Sequence, residues 1–253
     1  MMSPRPVDQS DEVTRDLSEL TKIEITNRLG RRYDYRSLLE ICCTSTGFTG
    51  GGFDLDQFTC YQRLVYRCSD DFDDGAPIAF RTSAGSSHEV TQRLLSERAP
   101  ANLYDVVFVD SYHTYENSMT DLLGAFALIR SGGAVVVHDC RPTDPHIVSP
   151  AFQPGCWCGV TYWAFVDFVL GRAGIEYFTV DADYGCGVIR KTSRRGAGDD
   201  SALELAWKIA ARRDEPRYAF FREREADLLR LISARRFRER YRQRKRNGVT
   251  SRV

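Results

Sequence analysis

Long apolar runs are absent from this sequence of 253 residues. None of its apolar stretches approaches the ~20 residues that a membrane-spanning helix needs. The first residues, MMSPRPVDQSDEVTRDLSEL, are polar and acidic, and they lack the basic start and apolar centre of a secretory signal. We therefore expect a cytoplasmic protein with no membrane partner.

Cysteine spacing of the common metal-binding kind is also absent. The chain has eight cysteines, but none of them form a C-x-x-C pair, and Cys156 and Cys158 form only C-x-C. Most of the other cysteines lie in or beside apolar runs, where a reduced cysteine packs as a small apolar side chain. We expect free thiols, as is usual for a cytoplasmic chain.

An excess of charge of either sign is lacking, because 35 basic residues balance 35 acidic ones. Net charge therefore indicates no polyanionic partner. The balance hides an uneven distribution, since residues 212–246 contain thirteen arginines and one lysine against six acids. Acids recur among these arginines at helical spacing, which favours a solvated, salt-bridged helix or an oligomer-forming arm. Nucleic-acid binding through the basic tail is the alternative.

Strand-like and helix-like segments alternate through the middle of the chain, which predicts a doubly wound α/β sheet. The apolar pattern predicts strands at 37–44, 63–68, 77–82, 105–110 and 134–139, and helices at 11–30, 86–99, 115–130 and 160–173. Gly30 and the pair Gly132–Gly133 are interpreted as helix stops. Two apolar runs surround the turn Asp183-Tyr184-Gly185, which predicts an antiparallel C-terminal strand in a mostly parallel sheet.

Composition divides the chain into three parts. Residues 1–36 form a predicted N-terminal helical extension, and residues 37–192 form the predicted α/β domain with helices on both faces of its sheet. Residues 193–253 begin with a linker rich in small and charged residues and continue as the basic helical tail. No internal repeat is visible.

Carboxylates and imidazoles follow two successive predicted strands. Asp110 ends the fourth strand and His113 comes three residues later, whereas His138 and Asp139 end the fifth strand. Strands joined by one crossover helix are usually neighbours, and parallel sheets bind ligands beyond the carboxyl ends of their strands. We expect Asp110 and Asp139 to share a divalent cation or a substrate hydroxyl, with His113 as the base. Strand alternation would turn His138 away from Asp139 unless the strand has already ended.

The alternative for Asp110 is purely structural, because an aspartate after a buried strand often only caps the next helix. The combination of Asp110, His113 and Asp139 favours function, since acid–base groups converge on the expected crevice. His88 and His146 are interpreted as helix and loop residues without chemistry.

Residues 104–140 resemble the corresponding segment of class I S-adenosylmethionine-dependent methyltransferases. The likeness is strongest to the branch that includes macrocin-type sugar O-methyltransferases and cephalosporin hydroxylase-like proteins, and it extends more weakly over residues 37–190. The pattern of that branch is met by Asp110, His113, Tyr115, Asp121, Gly132, Gly133 and Asp139. The resemblance implies a Rossmann-like fold and O-methylation of a sugar or natural-product hydroxyl.

The resemblance also implies that S-adenosylmethionine lies at the end of the first strand. Glu40 would lie near the methionine moiety, and an acid such as Asp70 or Asp71 would bind the ribose. The cofactor-binding residues expected on this basis are Glu40, Ile41, Cys42, Thr44, Gly47, Asp70 and Asp110. The loop departs from the usual E-x-G-x-x-x-G, since Cys42 takes the place of the first glycine and its side chain would crowd the approaching cofactor.

A metal site is a further implication of the resemblance. Members of this branch often bind Mg²⁺ through an aspartate that matches Asp110 and an acidic pair at the end of the next strand. Here that pair is His138-Asp139, so the expected ligands are Asp110, His138 and Asp139. Imidazole nitrogen suits transition metals better than Mg²⁺.

These observations predict a small-molecule O-methyltransferase. S-adenosylmethionine carries an activated methyl group, so the protein must align the donor with the acceptor and remove a proton. Trp157 and Tyr162 are candidates for the wall of an acceptor pocket, with core packing as the alternative. Two other functions remain open: a catalytically degenerate methyltransferase-like binding protein, suggested by the altered cofactor loop, and an RNA-binding methyltransferase that uses the basic tail. A homo-oligomer is also possible.

Overall fold

The computed structural model describes residues 20–42, 52–65, 103–192, 201–210 and 217–242. The predicted strand at 77–82 and helix at 86–99 lie outside these ranges, as do Thr44, Gly47 and Asp70. The described elements follow one another in the order α1 (Lys22–Tyr33), β1 (Ser37–Cys42), β2 (Cys60–Val65), β3 (Tyr104–Asp110), α2 (Tyr115–Leu128), β4 (Ile129–Val137), a 3-10 turn (Pro145–Ile147), α3 (Thr161–Val169), β5 (Ile175–Asp181), β6 (Cys186–Lys191), α4 (Ser201–Ala210), α5 (Arg217–Leu228), β7 (Ile232–Ser233) and α6 (Ala234–Arg240).

The strands form one seven-stranded sheet in the order β2-β1-β3-β4-β6-β5-β7. Strands β2, β1, β3 and β4 run parallel to one another, and β6 runs antiparallel to both of its neighbours, β4 and β5. The hairpin of β5 and β6 turns through Asp183, Tyr184 and Gly185, all with positive φ. The predicted mostly parallel sheet with an antiparallel C-terminal strand is confirmed.

Two apolar cores cover the two faces of the sheet. Strand alternation places Leu39, Val107 and Val135 on the face that packs against α2, α3, α4 and α5. Leu38, Val106 and Val136 lie on the opposite face, against α1 and α6. Burial on both faces explains why the central strands are almost continuously apolar.

Gly30 does not end a helix, contrary to the sequence-based prediction. Helix α1 continues to Tyr33 and ends at Asp34, which adopts a left-handed conformation with φ 55°. A Cβ atom at Gly30 would lie 2.6 Å from the ring of Phe58. The glycine therefore permits close packing within the helix instead of ending it.

The glycine pair at 132–133 is also not a helix stop. Helix α2 ends at Leu128, and the two glycines lie inside β4, where the pairing with β3 shifts register. Gly132 has φ +80°, and a Cβ atom at Gly133 would come within 2.7 Å of the carbonyl oxygen of Asp105. A bulge that approaches β3 this closely requires glycine at Gly133.

The described part of the C-terminal tail packs on the α/β sheet. Strand β7 pairs with β5, and Trp207, Phe221 and Phe237 are fully buried. Several arginines of this region lie over aromatic rings, such as Arg217 over Trp163 and Arg230 over Tyr177. The predicted helices are confirmed in the described ranges, whereas the division of the chain at residues 37 and 193 stays a prediction.

Each helix in the described ranges is too short or too polar to reach across a bilayer. The cysteines in the same ranges are all free, as the sequence predicted. The cytoplasmic location and the possible homo-oligomer stay predictions.

Candidate active site

The ends of β3 and β4 bring the predicted site residues together. Asp110 is the last residue of β3, and β4 already ends at Val137, two residues before Asp139. Asp139 then adopts a left-handed conformation with φ 58°. Strand alternation therefore no longer applies, and Nδ1 of His138 lies 3.2 Å from both Oδ1 of Asp110 and Oδ2 of Asp139.

His113 is held in the loop between β3 and α2. Its Nε2 lies 3.4 Å from Oδ2 of Asp139, and its Nδ1 lies 3.2 Å from Oγ1 of Thr161, the first residue of α3. The backbone N–H of Val160 donates to the carbonyl oxygen of His113 over 2.8 Å. A Cβ atom at Gly159 would lie only 2.2 Å from the same oxygen. The segment before α3 thus fixes the backbone of His113, and the first residue of α3 fixes its ring.

Two further charged residues complete the cluster, and sequence reasoning missed both. The ammonium of Lys22 donates to Oδ2 of Asp110 over 2.7 Å, and its backbone N–H donates to Oδ2 of Asp183 over 2.9 Å. Oδ1 of Asp183 lies 3.3 Å from Nε2 of His138. Lys22 and Asp110 are 88 positions apart in the chain, and no local pattern connects them.

The electrostatics of the cluster favour the charged forms of Asp110, His138 and Lys22. Burial alone would raise the pKa of Asp110, but the neighbouring charges of His138 and Lys22 outweigh burial and hold it well below its usual value. Burial would likewise lower the pKa of His138, but Asp139 and Asp110 raise it well above the usual value. The pKa of Lys22 is raised because Asp110 outweighs its burial. His138 is therefore a cationic partner of the two aspartates.

Asp110, His113 and Asp139 form a group that could hold a metal ion, since one ligand atom from each lies within 4.8 Å of the others. Two carboxylates and an imidazole fit a divalent cation, with transition metals favoured over Mg²⁺. The group contains His113, whereas the sequence predicted His138 beside the two aspartates, and the role of His138 as a ligand stays a prediction. The thiol of Cys158 donates a hydrogen bond to Oδ1 of Asp139 over 3.2 Å.

Two of the expected cofactor residues in β1, Glu40 and Cys42, contact side chains of β2. Glu40 is fully buried; the hydroxyl of Tyr61 donates to it, and Nε of Arg63 lies 3.4 Å from Oε2. Burial raises the pKa of Glu40 despite these partners. Ile41 points into the core, and the Sγ atom of Cys42 accepts a hydrogen bond from Nε of Arg63. Their role in cofactor binding stays a prediction.

Trp157 lies beside the site, whereas Tyr162 does not. The rings of Trp157 and His113 meet edge to face, with centroids 5.3 Å apart, and the indole N–H of Trp157 donates to the carbonyl oxygen of Ser149. Tyr162 is almost fully buried and packs against Phe221 in the core. Of the two aromatic candidates, only Trp157 contacts a predicted site residue.

A cavity of about 450 Å³ opens next to this cluster. It lies between the start of α1, the loop after β4 and the turn of the β5–β6 hairpin. Asp183 connects the two features, because it lines the cavity and its carboxylate contacts His138. The cavity is lined by Leu20, Thr21, Arg141, Thr143, Asp181, Ala182, Asp183, Tyr184 and Gly185.

Comparison with known proteins identifies one family and a set of similar folds. Residues 36–140 match the family model described as a methyltransferase domain. No curated protein sequence matches the chain at a significant level.

Three solved structures illustrate the similar folds. The O-methyltransferase TomG of Streptomyces achromogenes, in complex with S-adenosylmethionine, is 17% identical over 67% of this chain and 79% of its own, with a TM-score of 0.46. An O-methyltransferase of Bacillus cereus, in complex with S-adenosylhomocysteine, is 14% identical over 66% and 80%, with a TM-score of 0.45. The MycE methyltransferase of the mycinamycin pathway, in complex with Mg, S-adenosylhomocysteine and mycinamycin VI, is 18% identical over 69% and 50%, with a TM-score of 0.41.

These structural likenesses are weak, since the TM-score is 0.46 or lower in all three. The family match is more informative than the structural likenesses. It covers β1 to β4 and ends just past the last predicted site residue, Asp139. Its range includes the segment 104–140 that carries the sequence resemblance. Residues 36–140 thus match a methyltransferase domain, in agreement with the resemblance to class I S-adenosylmethionine-dependent methyltransferases that the sequence shows.

Proposed function

We propose that the protein transfers the methyl group of S-adenosylmethionine to a hydroxyl group of a small molecule. The observation that carries this proposal is the convergence of Asp110, His113 and Asp139 at the carboxyl ends of β3 and β4. Open α/β sheets bind their ligands at this edge. A base and two carboxylates at this edge suit removal of a proton from an acceptor hydroxyl.

S-adenosylmethionine supplies an activated methyl group when it is bound. The carboxyl ends of β1 and β3 lie side by side, with Cys42 opposite Asp110 in the register of the sheet, and this edge fits such a cofactor. The residues that would hold it are Glu40 and Asp110, together with Thr44 and Gly47, which the sequence predicts as cofactor-binding residues. Tyr61 and Arg63 would fix the Glu40 carboxylate on the cofactor side of β1.

The acceptor would occupy the cavity beside Asp183. Its volume of about 450 Å³ falls within the range of small-molecule sites. Aspartates, threonines and the partly exposed ring of Tyr184 line it, which suits a polar molecule that carries several hydroxyl groups. The reacting hydroxyl would point toward the edge formed by Asp110 and Asp139.

His113 would accept the proton of that hydroxyl. When the hydrogen of the neutral ring is on Nδ1 and is donated to Thr161, the lone pair of Nε2 faces Asp139. Proton uptake at Nε2 then creates a cation that pairs with the Asp139 carboxylate. The thiol of Cys158 and the ring of His138 hold this carboxylate in place.

A divalent cation, when bound, would polarise the acceptor hydroxyl. Asp110, His113 and Asp139 would be its ligands. The two roles of His113 exclude each other, because the Nε2 lone pair either binds a cation or takes a proton. A chelator therefore distinguishes them: activity that survives chelation supports the base, and activity that is lost supports the ligand.

Methyl transfer is tested with S-adenosylmethionine that carries a labelled methyl group. The purified chain is incubated with a panel of hydroxylated small molecules, including sugars and glycosylated natural products, and labelled products are identified by mass spectrometry. The proposal predicts label on an oxygen atom of at least one acceptor. Label found only on nitrogen would contradict it, and cofactor binding without any transfer across the panel would favour the degenerate alternative.

A further inference from the structure

Lys22 places a positive charge directly against the group that could hold a metal ion. Its Nζ lies 2.7 Å from Oδ2 of Asp110, one of the three residues of that group, and 3.5 Å from Nδ1 of His138. A divalent cation binds carboxylate oxygens at about 2.0–2.6 Å. An ammonium and a metal ion on the same carboxylate would therefore lie only a few ångströms apart and repel each other.

The position of this ammonium is fixed by the start of α1. Lys22 is the first residue of the helix, and Thr21 caps it by accepting a hydrogen bond from the backbone N–H of Glu24. The backbone N–H of Lys22 donates to Asp183, and the helix is anchored in the core by Ile25 and Leu29. The Lys22 side chain is only 20% exposed. It is thus a built part of the site and differs from a mobile surface lysine.

The charge balance of the site agrees with this placement. Asp110, Asp139 and Asp183 bring three carboxylates into a small volume, and such a group ordinarily requires compensating cations. Lys22 supplies one from within the chain, because its ammonium contacts Asp110, and its neutral backbone N–H donates to Asp183. The ring of His138 also contacts all three carboxylates. The cluster is therefore partly neutralised without a metal ion.

We propose that Lys22 is a built-in cation of this site and competes with divalent metal ions for Asp110. A metal ion would then bind weakly to Asp110, His113 and Asp139 while the ammonium is in place. In the reaction, a role that rests on the proposed function, the same ammonium stabilises the negative charge that develops on the acceptor oxygen. The competition itself depends only on the contacts of Lys22.

Binding of Mn²⁺ tests the competition without any acceptor. Free Mn²⁺ is measured by electron paramagnetic resonance during titration of the full chain, its Lys22→Met variant and a Lys208→Met control, which removes an exposed lysine of α4. We expect Lys22→Met to bind Mn²⁺ about tenfold more tightly than the wild type, or tighter still, because a nearby positive charge is removed. The Lys208→Met control should match the wild type, and equal or weaker binding by Lys22→Met contradicts the proposal.

Two further variants keep the test decisive. Lys22→Arg retains the positive charge and should bind Mn²⁺ as weakly as the wild type, so tight binding by this variant also contradicts the proposal. If Lys22→Met does not fold, Lys22→Gln takes its place with the same expected gain. The double variant Lys22→Met/Asp110→Asn should lose the gain, and tight binding that persists there places the metal elsewhere and overturns the assignment.

Failure of this inference is distinguishable from failure of the proposed function. Binding of S-adenosylhomocysteine is measured calorimetrically in the same preparations. A wild type that binds no cofactor contradicts the proposed function, whereas the Mn²⁺ comparison between wild type and Lys22→Met still decides the competition.

Discussion

His113 shows how far single residues can be interpreted from the sequence. The spacing Asp-x-x-His after an apolar strand predicted that His113 overlooks Asp139, and the two side chains are indeed 3.4 Å apart. Thr161, which also contacts His113, lies 48 positions further along the chain, and no local sequence pattern indicates this contact. Lys22 was missed for the same reason, since only the folded sheet brings α1 to Asp110.

Replacement of His113 by alanine should nearly abolish methyl transfer. Loss of a positioned base lowers turnover by about 10²–10⁴-fold. Affinity for S-adenosylhomocysteine should stay unchanged, because His113 is placed on the acceptor side. Turnover and calorimetric affinity are compared with those of His146→Ala, which removes an exposed histidine of the 3-10 turn. Full activity in His113→Ala would remove the assignment of the base.

At the scale of elements, the segment before α3 positions His113, and two of its glycines provide a matched pair. Gly159 (φ +56°) and Gly155 (φ +94°) both have left-handed backbones. A Cβ atom at Gly159 would lie 2.2 Å from the carbonyl oxygen of His113, whereas a Cβ atom at Gly155 would meet nothing within 4 Å. Sequence alone could not separate them, because both are glycines in one loop.

Gly159→Ala should therefore lower the free energy of unfolding more than Gly155→Ala does. The backbone strain of alanine in these conformations is worth about 1–3 kcal/mol in both variants. Only Gly159→Ala adds a clash with His113, so we expect it to lower the free energy of unfolding further and also to reduce turnover. Denaturant unfolding and the transfer assay measure both effects. Equal losses of stability, with full activity in Gly159→Ala, would contradict this view of the loop.

Asp105 ties three strands together at the edge of the sheet opposite the site. Its carboxylate accepts hydrogen bonds from the backbone N–H groups of Arg36 and Ser37 over 2.6 and 2.8 Å, and from the side chain of Arg130 in β4. Burial alone would raise the pKa of Asp105, but these bonds outweigh burial and lower it. The sequence indicated only that a strand begins near Asp105. It could not indicate the hydrogen-bond partners of Asp105, because they come from separate segments of the chain.

The stability contributed by Asp105 should depend on pH. Because its pKa is lower in the folded state than the unfolded value of about 3.9, the stabilisation is fully present above that value and is lost as the pH falls through the folded-state pKa. Asp105→Asn should lower the free energy of unfolding by about 1–3 kcal/mol at neutral pH.

The loss of stability in Asp105→Asn should shrink toward zero as the pH falls into the acidic range. Asp34→Asn is the control, because its carboxylate is 74% exposed in a surface pair with Arg36 and should contribute little at any pH. Denaturant unfolding of both variants across the acidic range gives the comparison. A difference between wild type and Asp105→Asn that does not change with pH would contradict the ionic origin of the effect.

At the scale of the whole molecule, the sequence predicted the sheet better than it predicted the packing of the C-terminal part of the chain. Apolar runs and the resemblance of residues 104–140 were sufficient for the order of strands and helices around the site. The basic tail was interpreted as a surface or partner-binding helix because arginines dominate its composition. In the structure, its few large apolar residues decide its position, since Trp207, Phe221 and Phe237 are buried on the sheet.

Trp207→Ala should therefore destabilise the whole molecule. Removal of a fully buried tryptophan side chain costs about 3–5 kcal/mol, and the indole N–H of Trp207 also donates to Asp167 of α3. Leu205→Ala, in the same helix, is a suitable control because Leu205 is 60% exposed. Thermal unfolding should show a large loss for Trp207→Ala and almost none for Leu205→Ala. Similar stability of the two variants would show that α4 does not pack as described.

Calorimetric titration of the full chain with S-adenosylhomocysteine and S-adenosylmethionine tests the central claim most directly. The proposed function requires a cofactor site beyond β1 and β3, although Cys42 replaces the usual first glycine of the loop. We predict saturable binding of both compounds with one site per chain. No heat of binding for either compound at millimolar concentration would contradict the claim that this site performs S-adenosylmethionine-dependent methyl transfer.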